Sequence, residues 1–276
     1  MPQLFVVMPS HETILKSVYT YYYLTAKQVC RLHYRPGSFT RVEKLLKELR
    51  DHEYLQWDFL PVKRRFGSSP AYYMLAKRGV SYLRKLGYDV SVLPYPSEKK
   101  ELKSLFIPHT ISVNDVLIAS SLLPRVAPDV RLCAMRHELL LKRTMKAPVL
   151  PDSWLDFRRG NEQLCFWLEV DRGTEDVHVF RQKIKGLLTF AKTQYQEVFH
   201  TPSITIIFAT TAGQMRCQSM RTWTEQTVTE MHEIAEADLF RFAPIPQGEL
   251  DPQWLFFESL WTVPFGHTPL PLLECQ

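Results

Sequence analysis

The sequence contains few cysteines, and none of them lie close together. The 276 residues include five: Cys30, Cys133, Cys165, Cys217 and Cys275. Structural zinc sites and disulfide frameworks both need cysteines at short, regular spacings such as Cys-x-x-Cys. The cysteine pattern therefore argues against both kinds of site and is typical of reduced, intracellular thiols.

Long apolar runs are missing as well. A helix needs about 20 consecutive, mostly apolar residues to span a bilayer, and no apolar run here approaches that length. The sequence begins with MPQLFVVMPSHE, which has neither the basic stretch nor the long apolar segment of a secretory signal. Apolar residues make up 45% of the chain and charged residues 23%, which are ordinary values for globular proteins. We therefore expect a soluble cytoplasmic protein that has no membrane partner.

The charges are distributed unevenly along the chain. Residues 1–104 contain 18 Lys and Arg against 9 Asp and Glu, whereas residues 105–276 contain 16 against 20. The first part therefore has a net charge of +9 and the second a net charge of −4. A basic first part predicts a polyanionic partner. A basic surface that is merely solvated is the alternative.

The basic part has the pattern of a winged helix-turn-helix. The predicted helices and their N-caps are 11–22 with Ser10, 26–34 with Thr25, and 39–53 with Ser38. The third helix carries one apolar stripe at helical spacing, formed by Val42, Leu45, Leu46 and Leu49. Pro36-Gly37 makes the turn between the second and third helices. In such a pair, the second helix reads the major groove of DNA.

A β-hairpin and a closing helix follow. Residues 54–59 and 71–75 alternate in the manner of strands, and the loop between them is basic and rich in Gly and Ser. A flexible basic tip suits contact with phosphates or with the minor groove. The sequence thus predicts DNA contacts on the third helix and at the hairpin tip, from Thr40, Arg41, Lys44, Lys47, Lys63, Arg64 and Arg65.

The rest of the chain alternates between helices and strands. A stretch that contains Pro94, Pro96 and Pro108 marks the junction. After it, the order helix-strand-strand-strand-helix-strand-helix-strand predicts an α+β or α/β domain. We therefore predict four segments: a winged helix, a linker, a second domain and a C-terminal extension rich in proline and aromatic residues, over residues 1–90, 91–108, 109–243 and 244–276. That extension either packs back across the domain or docks another protein.

Three carboxylates and a lysine gather around the third of these strands. Glu169 and Asp171 lie at alternate positions, so their side chains point to the same face of the strand. Asp152 precedes the strand before it, and a helical wheel places Lys183 where it can reach back over the sheet edge. Ligands collect at the carboxyl ends of strands in open α/β sheets, and carboxylates suit Mg²⁺. A structural role for the acids, capping helices or pairing with arginines, is the alternative.

These residues carry a resemblance to a known family. LTAKQVCRLHY, YYMLAKRGVSYL, HTISVNDVLIA, the LPD of residues 150–152 and the EVDRGTE of residues 169–175 resemble the replication-relaxation family of plasmid and mobile-element proteins. The strand order resembles that of the PD-(D/E)xK restriction-endonuclease-like fold, an αβββαβ core. The resemblance implies a bacterial cytoplasmic protein that binds double-stranded DNA and contains a nuclease-like domain.

The resemblance also implies roles for single residues. Asp152 and Glu169 match the metal-binding carboxylates of the nuclease motif, with Mg²⁺ as the metal and Mn²⁺ as a substitute. Asp171 would hold a second metal or a water, and Lys183 would stabilise charge on the phosphate. The usual motif has a lysine two residues after the second acid, and this sequence has Asp171 there instead.

That departure leaves three classes of function open. The first is a metal-dependent DNA endonuclease, in which Lys183 replaces the missing lysine. The second is a non-catalytic regulator or relaxase accessory factor, whose nuclease-like fold serves dimerisation or a partner in a replication, relaxation or transposition complex. The third is a pure protein-interaction module. Steep loss of affinity with salt would separate a DNA-binding protein from the third class.

Overall fold

The computed structural model describes residues 5–61, 69–92 and 103–274. The chain divides into two compact units, residues 1–114 and residues 115–276. The division falls within one long helix, α5, which covers Lys103–Val126. The predicted segment boundaries stay a prediction, and each unit is taken by itself below.

Helices and a small sheet make up the first unit. Its elements are α1 (Pro9–Tyr21), β1 (Leu24–Thr25), α2 (Ala26–His33), α3 (Phe39–Asp51), β2 (Leu55–Phe59), β3 (Ala71–Leu75), α4 (Lys77–Lys85), a 3₁₀ turn (Val90–Val92) and the first part of α5. The three strands are antiparallel in the order β1-β3-β2. The middle strand of this sheet is therefore β3, the last of the three in chain order. Strands β2 and β3 form a hairpin.

The apolar stripe of α3 anchors this unit. Val42, Leu46 and Leu49 are completely buried, while Leu45 is half-buried. Helix α4 packs so closely on the preceding turn that a Cβ atom added at Gly79 would lie 2.2 Å from the Tyr54 carbonyl oxygen. The stripe and this close approach fix the hairpin against the helices.

The helix caps differ in part from the predicted ones. Thr25 caps α2 as predicted, in a reciprocal capping box with Gln28. Ser10 was wrong as the cap of α1, because Pro9 already occupies the first helical position and Met8 is the cap residue. Ser38 precedes α3, but its side chain makes no capping hydrogen bond.

The first part of α5 is tied into the first unit by side chains. The amide nitrogen of Asn114 donates to the carbonyl oxygens of Tyr21 and Tyr23, at 3.0 and 2.6 Å. Gln28 donates to the carbonyl oxygen of Ile111 at 3.0 Å. The sequence also suggests Asn114 as a weaker candidate for a supporting role at the carboxylate site, and that role stays a prediction. In the structure its amide holds the first part of α5 against the end of α1.

Helix α5 is long and apolar enough to cross a membrane by length and composition. Residues 106–126 have a mean hydropathy of 1.3, and 61% of the apolar window is buried inside the protein. Core helices of soluble proteins pass the same test, and burial is their mark. The sequence has no uninterrupted apolar run long enough to span a bilayer, as expected. Helix α5 nevertheless reaches that length when interspersed polar residues are allowed.

A five-stranded mixed sheet with helices makes up the second unit, an α+β arrangement. Its further elements are β4 (Val130–His137), α6 (Glu138–Thr144), β5 (Ser153–Arg159), β6 (Glu162–Asp171), α7 (Val177–Thr193), α8 (Tyr195–Phe199), β7 (Thr205–Thr210), α9 (Gln214–Glu230), a 3₁₀ helix (Ile234–Leu239), β8 (Phe240–Pro244) and α10 (Pro252–Phe257). The strands follow chain order, β4-β5-β6-β7-β8. The first three are antiparallel, whereas β6, β7 and β8 are parallel.

The parallel strands explain the placement of the helices. Parallel neighbours need a crossover connection, and α7 with α8 joins β6 to β7, while α9 joins β7 to β8. The main core lies between these helices and the sheet and includes Trp167, Phe180, Phe208 and Met220. Phe166, on the other side of β6, contacts Phe256 of α10. The alternation of the two acids with apolar residues at 166, 168 and 170 predicts burial of one face of β6, whereas both faces are buried.

The C-terminal residues pack back on the second unit. Thr262 pairs with Phe242 of β8 in an antiparallel bridge, and Trp261 pairs with Leu270. Trp261 is completely buried, and its indole nitrogen donates to the carbonyl oxygen of Leu255 at 2.9 Å. Of the two alternatives for this segment, packing across the domain is the one observed.

Several elements of the second unit end before the sequence pattern predicts. Residues 129–141 have the pattern of one strand, but β4 ends at His137, where the histidine side chain caps α6. The pattern predicts one helix from the EVDRGTE turn to Phe199, but it breaks at Gln194 into α7 and α8. It also predicts a helix over about residues 213–237, but α9 ends at Glu230. In each case apolar residues continue beyond the break, so the pattern alone does not reveal the end.

Candidate functional site

Asp152 lies in the turn that leads into β5. Its backbone amide donates to Leu168 at 3.0 Å, and its carbonyl oxygen accepts from Glu138 at 2.9 Å. The Oδ2 atom accepts a hydrogen bond of 2.7 Å from the backbone amide of Val170. Backbone contacts to β6 therefore hold this carboxylate beside the position of Glu169.

Glu169 lies near the end of β6 and is almost completely buried, at 5% exposure. Its Oε1 atom accepts from the indole nitrogen of Trp167 at 2.9 Å, and its Oε2 atom accepts from the Lys183 Nζ at 3.2 Å. Alternation along the strand places Trp167 and Glu169 on the same face, which explains how the indole reaches the carboxylate. The burial costs free energy unless such partners offset it.

Lys183 of α7 joins two carboxylates. Besides Glu169, its Nζ lies 3.1 Å from the Oε1 atom of Glu175 in the turn before the helix. The lysine thus lies over the end of β6, where the helical wheel allows it to reach. Lys185, two residues further on, lines a separate open groove of about 300 Å³ with His178 and Arg181.

The pKa values reflect this arrangement. Burial raises the pKa of Glu169 to about 7; Lys183 opposes that rise, and the charge of Asp152 adds to it. Burial works against the charge of Lys183 as well, but Glu169, Glu175 and Asp152 together raise the pKa of this lysine above its ordinary value. Asp152, Glu169, Glu175 and Lys183 therefore form one coupled electrostatic group, the acid–lysine cluster.

Asp171 belongs to a different group of contacts. Two nitrogens of Arg216 bind its two carboxylate oxygens, at 3.1 and 2.8 Å, and the Thr210 hydroxyl donates at 2.7 Å. Burial opposes the ionisation of Asp171, but the hydrogen bonds from Arg216 and Thr210 outweigh it and hold the pKa of Asp171 below its ordinary value. This carboxylate is therefore an ionised, tightly bound partner of Arg216.

The turn between β6 and α7 sets the geometry of both groups. Gly173 has a φ of +73° and donates its amide to Asp171 at 3.0 Å. Arg216 also donates to the carbonyl oxygen of Glu175 at 2.7 Å. The sequence predicts a turn at Arg172-Gly173-Thr174 with Thr174 as the cap of the next helix. That cap was wrong, because the side chain of Asp176 accepts the amides that cap α7. Glu175 consequently lies before the helix, where its side chain reaches Lys183.

The residues predicted to contact DNA lie in two places. Thr40, Arg41, Lys44 and Lys47 of α3 are all exposed. Lys63, Arg64 and Arg65 lie outside the described residues. Exposure leaves the four α3 side chains accessible to a ligand, and their role stays a prediction.

Sequence reasoning missed three contributors to the site. It placed Glu175 at the start of a helix, although the EVDRGTE motif already contains it, and it gave no role to Arg216 or Trp167. The sequence also suggests Glu138 as a weaker candidate for a supporting role. Its backbone amide donates to Asp152, and its side chain pairs with Lys142. Glu175 and Trp167 had a signal in the sequence, because Glu175 lies in the EVDRGTE motif and Trp167 alternates with Glu169 along one strand. Arg216 had none, because the pairing of distant strands brings it near.

The acid–lysine cluster contains carboxylate oxygens that could bind a metal ion. Carboxylate oxygens are the ligands that Mg²⁺ prefers, and one or two of them suffice when a phosphate completes the site. Asp152 and Glu169 provide that number. Within residues 5–61, 69–92 and 103–274, no three His, Cys, Asp or Glu side chains are grouped as they are in an all-protein metal site.

Comparison with known proteins decides the family. Residues 15–201 match the replication-relaxation family, which is more than half of the chain. The chain belongs to the replication-relaxation family. The resemblance stated from the sequence is thereby confirmed, and the protein is replication-related.

Other comparisons add little to this membership. No curated protein matches the chain significantly. The solved structure of restriction endonuclease FokI is similar to 86% of this replication-relaxation protein, with 8% sequence identity and a TM-score of 0.26. The match covers 47% of the endonuclease, so the chain spans about half the length of that enzyme. At this TM-score the likeness carries no conclusion about activity.

Proposed function

We propose that this protein binds duplex DNA in the replication or transfer of a plasmid or mobile element, and that its second unit is a PD-(D/E)xK nuclease-like domain. The observation that carries the proposal is the acid–lysine cluster. Asp152 and Glu169 meet Lys183 at the carboxyl end of β6, at the start of a crossover helix. Pairs of carboxylates beside a cation are suited to phosphoryl chemistry, because they position and neutralise charge.

The first unit would be the DNA-binding winged helix-turn-helix. Its helices α2 and α3, the hairpin of β2 and β3 and the closing helix α4 occur in the chain order that such a domain requires. Helix α3 would enter the major groove with Arg41, Lys44 and Lys47, which are exposed. The net charge of +9 over residues 1–104 supports a polyanionic ligand.

Magnesium would bind at Asp152 and Glu169. A bound Mg²⁺ supplies neutralisation of the phosphate charge when it is present. If the metal replaces Lys183 as the partner of Glu169, the ammonium group of Lys183 would still be paired with Glu175. Lys183 would then stabilise the negative charge on a phosphate oxygen. Asp171, predicted as a further metal ligand, is held by Arg216, and the proposal assigns no metal to it.

A cleavage assay tests the nuclease part of the proposal. Supercoiled and single-stranded DNA are incubated with the full chain and Mg²⁺ or Mn²⁺, and nicked products are separated on a gel. Asp152→Asn and Glu169→Gln should each abolish nicking, because both keep the side-chain shape and remove the charge. Glu162→Gln, at the exposed far end of β6, is the matched control and should cleave as the native protein does.

A non-catalytic regulator is the second candidate, and one observation favours it. The position where the nuclease motif has its lysine carries Asp171, and Arg216 neutralises this carboxylate. A nuclease-like fold that has lost the lysine at this position would serve for dimerisation, or would bind a protein partner in a replication, relaxation or transposition complex. Retained duplex binding without cleavage under either metal would favour the regulator and count against the endonuclease.

A further inference from the structure

Two aromatic side chains are exposed side by side on the hairpin of the first unit. Trp57 is 40% exposed and Phe59 is 52% exposed. They occupy alternate positions of β2 and so project from the same face of the strand. Their ring centroids lie 4.8 Å apart, at an angle of 80°. Together with Arg50, which lies over the Trp57 ring, they form the hairpin patch.

The hairpin patch extends a face that begins in the core. Leu55, on the same side of β2, is buried against its cross-strand partner Leu75. Tyr73, the partner of Trp57, is half-buried. The strand face therefore changes from buried to exposed along its length, and about half of the surface of these two rings is open to solvent. Single exposed apolar side chains are ordinary, but two aromatic rings in contact at the surface suit a partner with flat apolar faces.

The third member of the hairpin patch is a cation. The guanidinium of Arg50, on α3, lies 5.3 Å from the centre of the Trp57 ring. Two of its nitrogens donate to the Oδ1 atom of Asp51, at 3.0 and 2.8 Å. Arginine stacks on aromatic planes as well as binding phosphate. The surface thus offers flat apolar rings and a positive charge together.

The charge identifies the partner that fits this surface. Residues 1–104 have a net charge of +9, and Lys63, Arg64 and Arg65 follow Phe59 closely in the chain. An unpaired nucleotide provides both complementary features, because each base has a flat π-face and each phosphate is negative. Bases inside a duplex are already stacked and do not offer their faces.

We propose that Trp57 and Phe59, with Arg50 beside them, bind unpaired bases of a DNA strand next to the duplex site. This inference rests on the proposed DNA binding and deepens it, since it assigns the protein a preference for a junction between double-stranded and single-stranded DNA. Such junctions arise wherever strands are opened or nicked. Stacking on a pair of aromatic rings should favour the junction by about tenfold over a blunt duplex.

Fluorescence anisotropy with the full chain tests the inference. Labelled blunt duplex and the same duplex with a single-stranded extension are titrated in parallel. The native protein should bind the extended DNA about tenfold more tightly. Trp57→Ala and Phe59→Ala should remove that preference and leave the affinity for the blunt duplex unchanged. Trp57→Phe should keep most of the preference, because it retains an aromatic face, and Phe265→Ala, at an exposed phenylalanine of the second unit, should keep all of it.

The outcomes separate this inference from the proposed function. Equal affinity of the native protein for both DNAs would overturn the stacking surface while leaving duplex binding intact. Failure to bind either DNA would overturn the proposed function, and this inference with it. Self-association that Trp57→Ala abolishes, with no change in DNA preference, would make the hairpin patch a contact between copies of the chain and overturn the assignment to DNA.

Discussion

Glu169 is a carboxylate on which burial and an ion pair act in opposite directions. Burial disfavours the charged form and raises the pKa to about 7, whereas Lys183 favours the charged form. At neutral pH the residue is therefore close to its midpoint. A group in that condition can release a proton when a cation binds, which is what the proposed metal-binding role requires of it.

Substitution of Glu169 should change how stability depends on pH. The pKa is about 7 in the folded protein and 4.5 ordinarily, so the folded state holds the proton more tightly. Protonation of Glu169 therefore stabilises the folded state, by at most about 3 kcal/mol. This contribution is fully present below about pH 4.5 and is lost as the pH rises through 7. Glu169→Gln cannot ionise, so its stability relative to the native protein should be higher at pH 8 than at pH 5, as measured by chemical denaturation. The same difference at both pH values, or an equal effect from Glu162→Gln, would contradict the prediction.

Asp171 and Arg216 form the most enclosed of the carboxylate–arginine contacts at the site. Their side chains are 8% and 15% exposed. Removal of one partner from such a pair leaves a buried charge uncompensated and costs about 3 kcal/mol or more. Exposed pairs contribute far less.

A double-mutant cycle should measure this difference. Asp171→Ala, Arg216→Ala and the double variant are compared by the free energy of unfolding, and the coupling energy should exceed about 1 kcal/mol. The exposed pair of Lys192 and Glu233 is the matched control, for which a coupling below about 1 kcal/mol is expected. If the two couplings are equal, Asp171 is not a structural partner of Arg216, and its assignment as a metal ligand gains support.

Local pattern revealed some of these residues and not others. Glu169 and Asp171 were found because alternation along one strand places them on one face, and Lys183 because helical periodicity turns it towards that strand. Arg216 lies 45 residues from Asp171, and only the parallel pairing of β6 with β7, in which Asp171 lies opposite Thr210, brings α9 to the site. Such pairing depends on tertiary structure, so spacing in the sequence does not reveal it.

At the scale of the elements, the turn from β6 to α7 has a backbone conformation that requires a glycine at position 173. Gly173 adopts a φ of +73°, a conformation that costs other residues about 1–2 kcal/mol. A Cβ atom there would also lie 2.8 Å from the Cβ of Ala212. The sequence correctly predicted a turn here but not the cap, because Thr174 and Asp176 both have suitable side chains and only the backbone path selects Asp176.

Gly173→Ala should therefore destabilise the protein more than Gly160→Ala does. Gly160 also has a positive φ, of +56°, but a Cβ atom there would meet nothing within 4 Å. We expect Gly160→Ala to cost about 1 kcal/mol, from backbone strain alone, and Gly173→Ala to cost clearly more, because the clash adds to the strain. Thermal unfolding of both variants measures the difference. Equal losses would mean that the Ala212 contact relaxes without cost.

At the scale of the whole molecule, the order of the five strands and the crossover helices in the second unit was predicted correctly, since strongly apolar strands alternate with amphipathic helices. The short helices α6 and α10, and α8 as a helix separate from α7, were not predicted. Prolines predict a junction over residues 91–108, and that boundary stays a prediction. The two compact units divide within α5, after Asn114. A helix that continues from one unit into the next has no change of composition at the boundary, so the pattern contains no signal for it.

The uneven charge leads to a prediction for the full chain. If α3 contacts phosphates through Lys44 and Lys47, binding to duplex DNA should weaken steeply with salt, because each contact releases a counterion. Lys44→Ala and Lys47→Ala should each reduce the slope of log K against log salt concentration by about 1. Lys142→Ala, in the second unit and paired with Glu138, should leave the slope unchanged. A slope that none of the three variants alters, measured by anisotropy across a salt series, would remove α3 from the DNA interface and leave the basic charge of the first unit as a solvated surface.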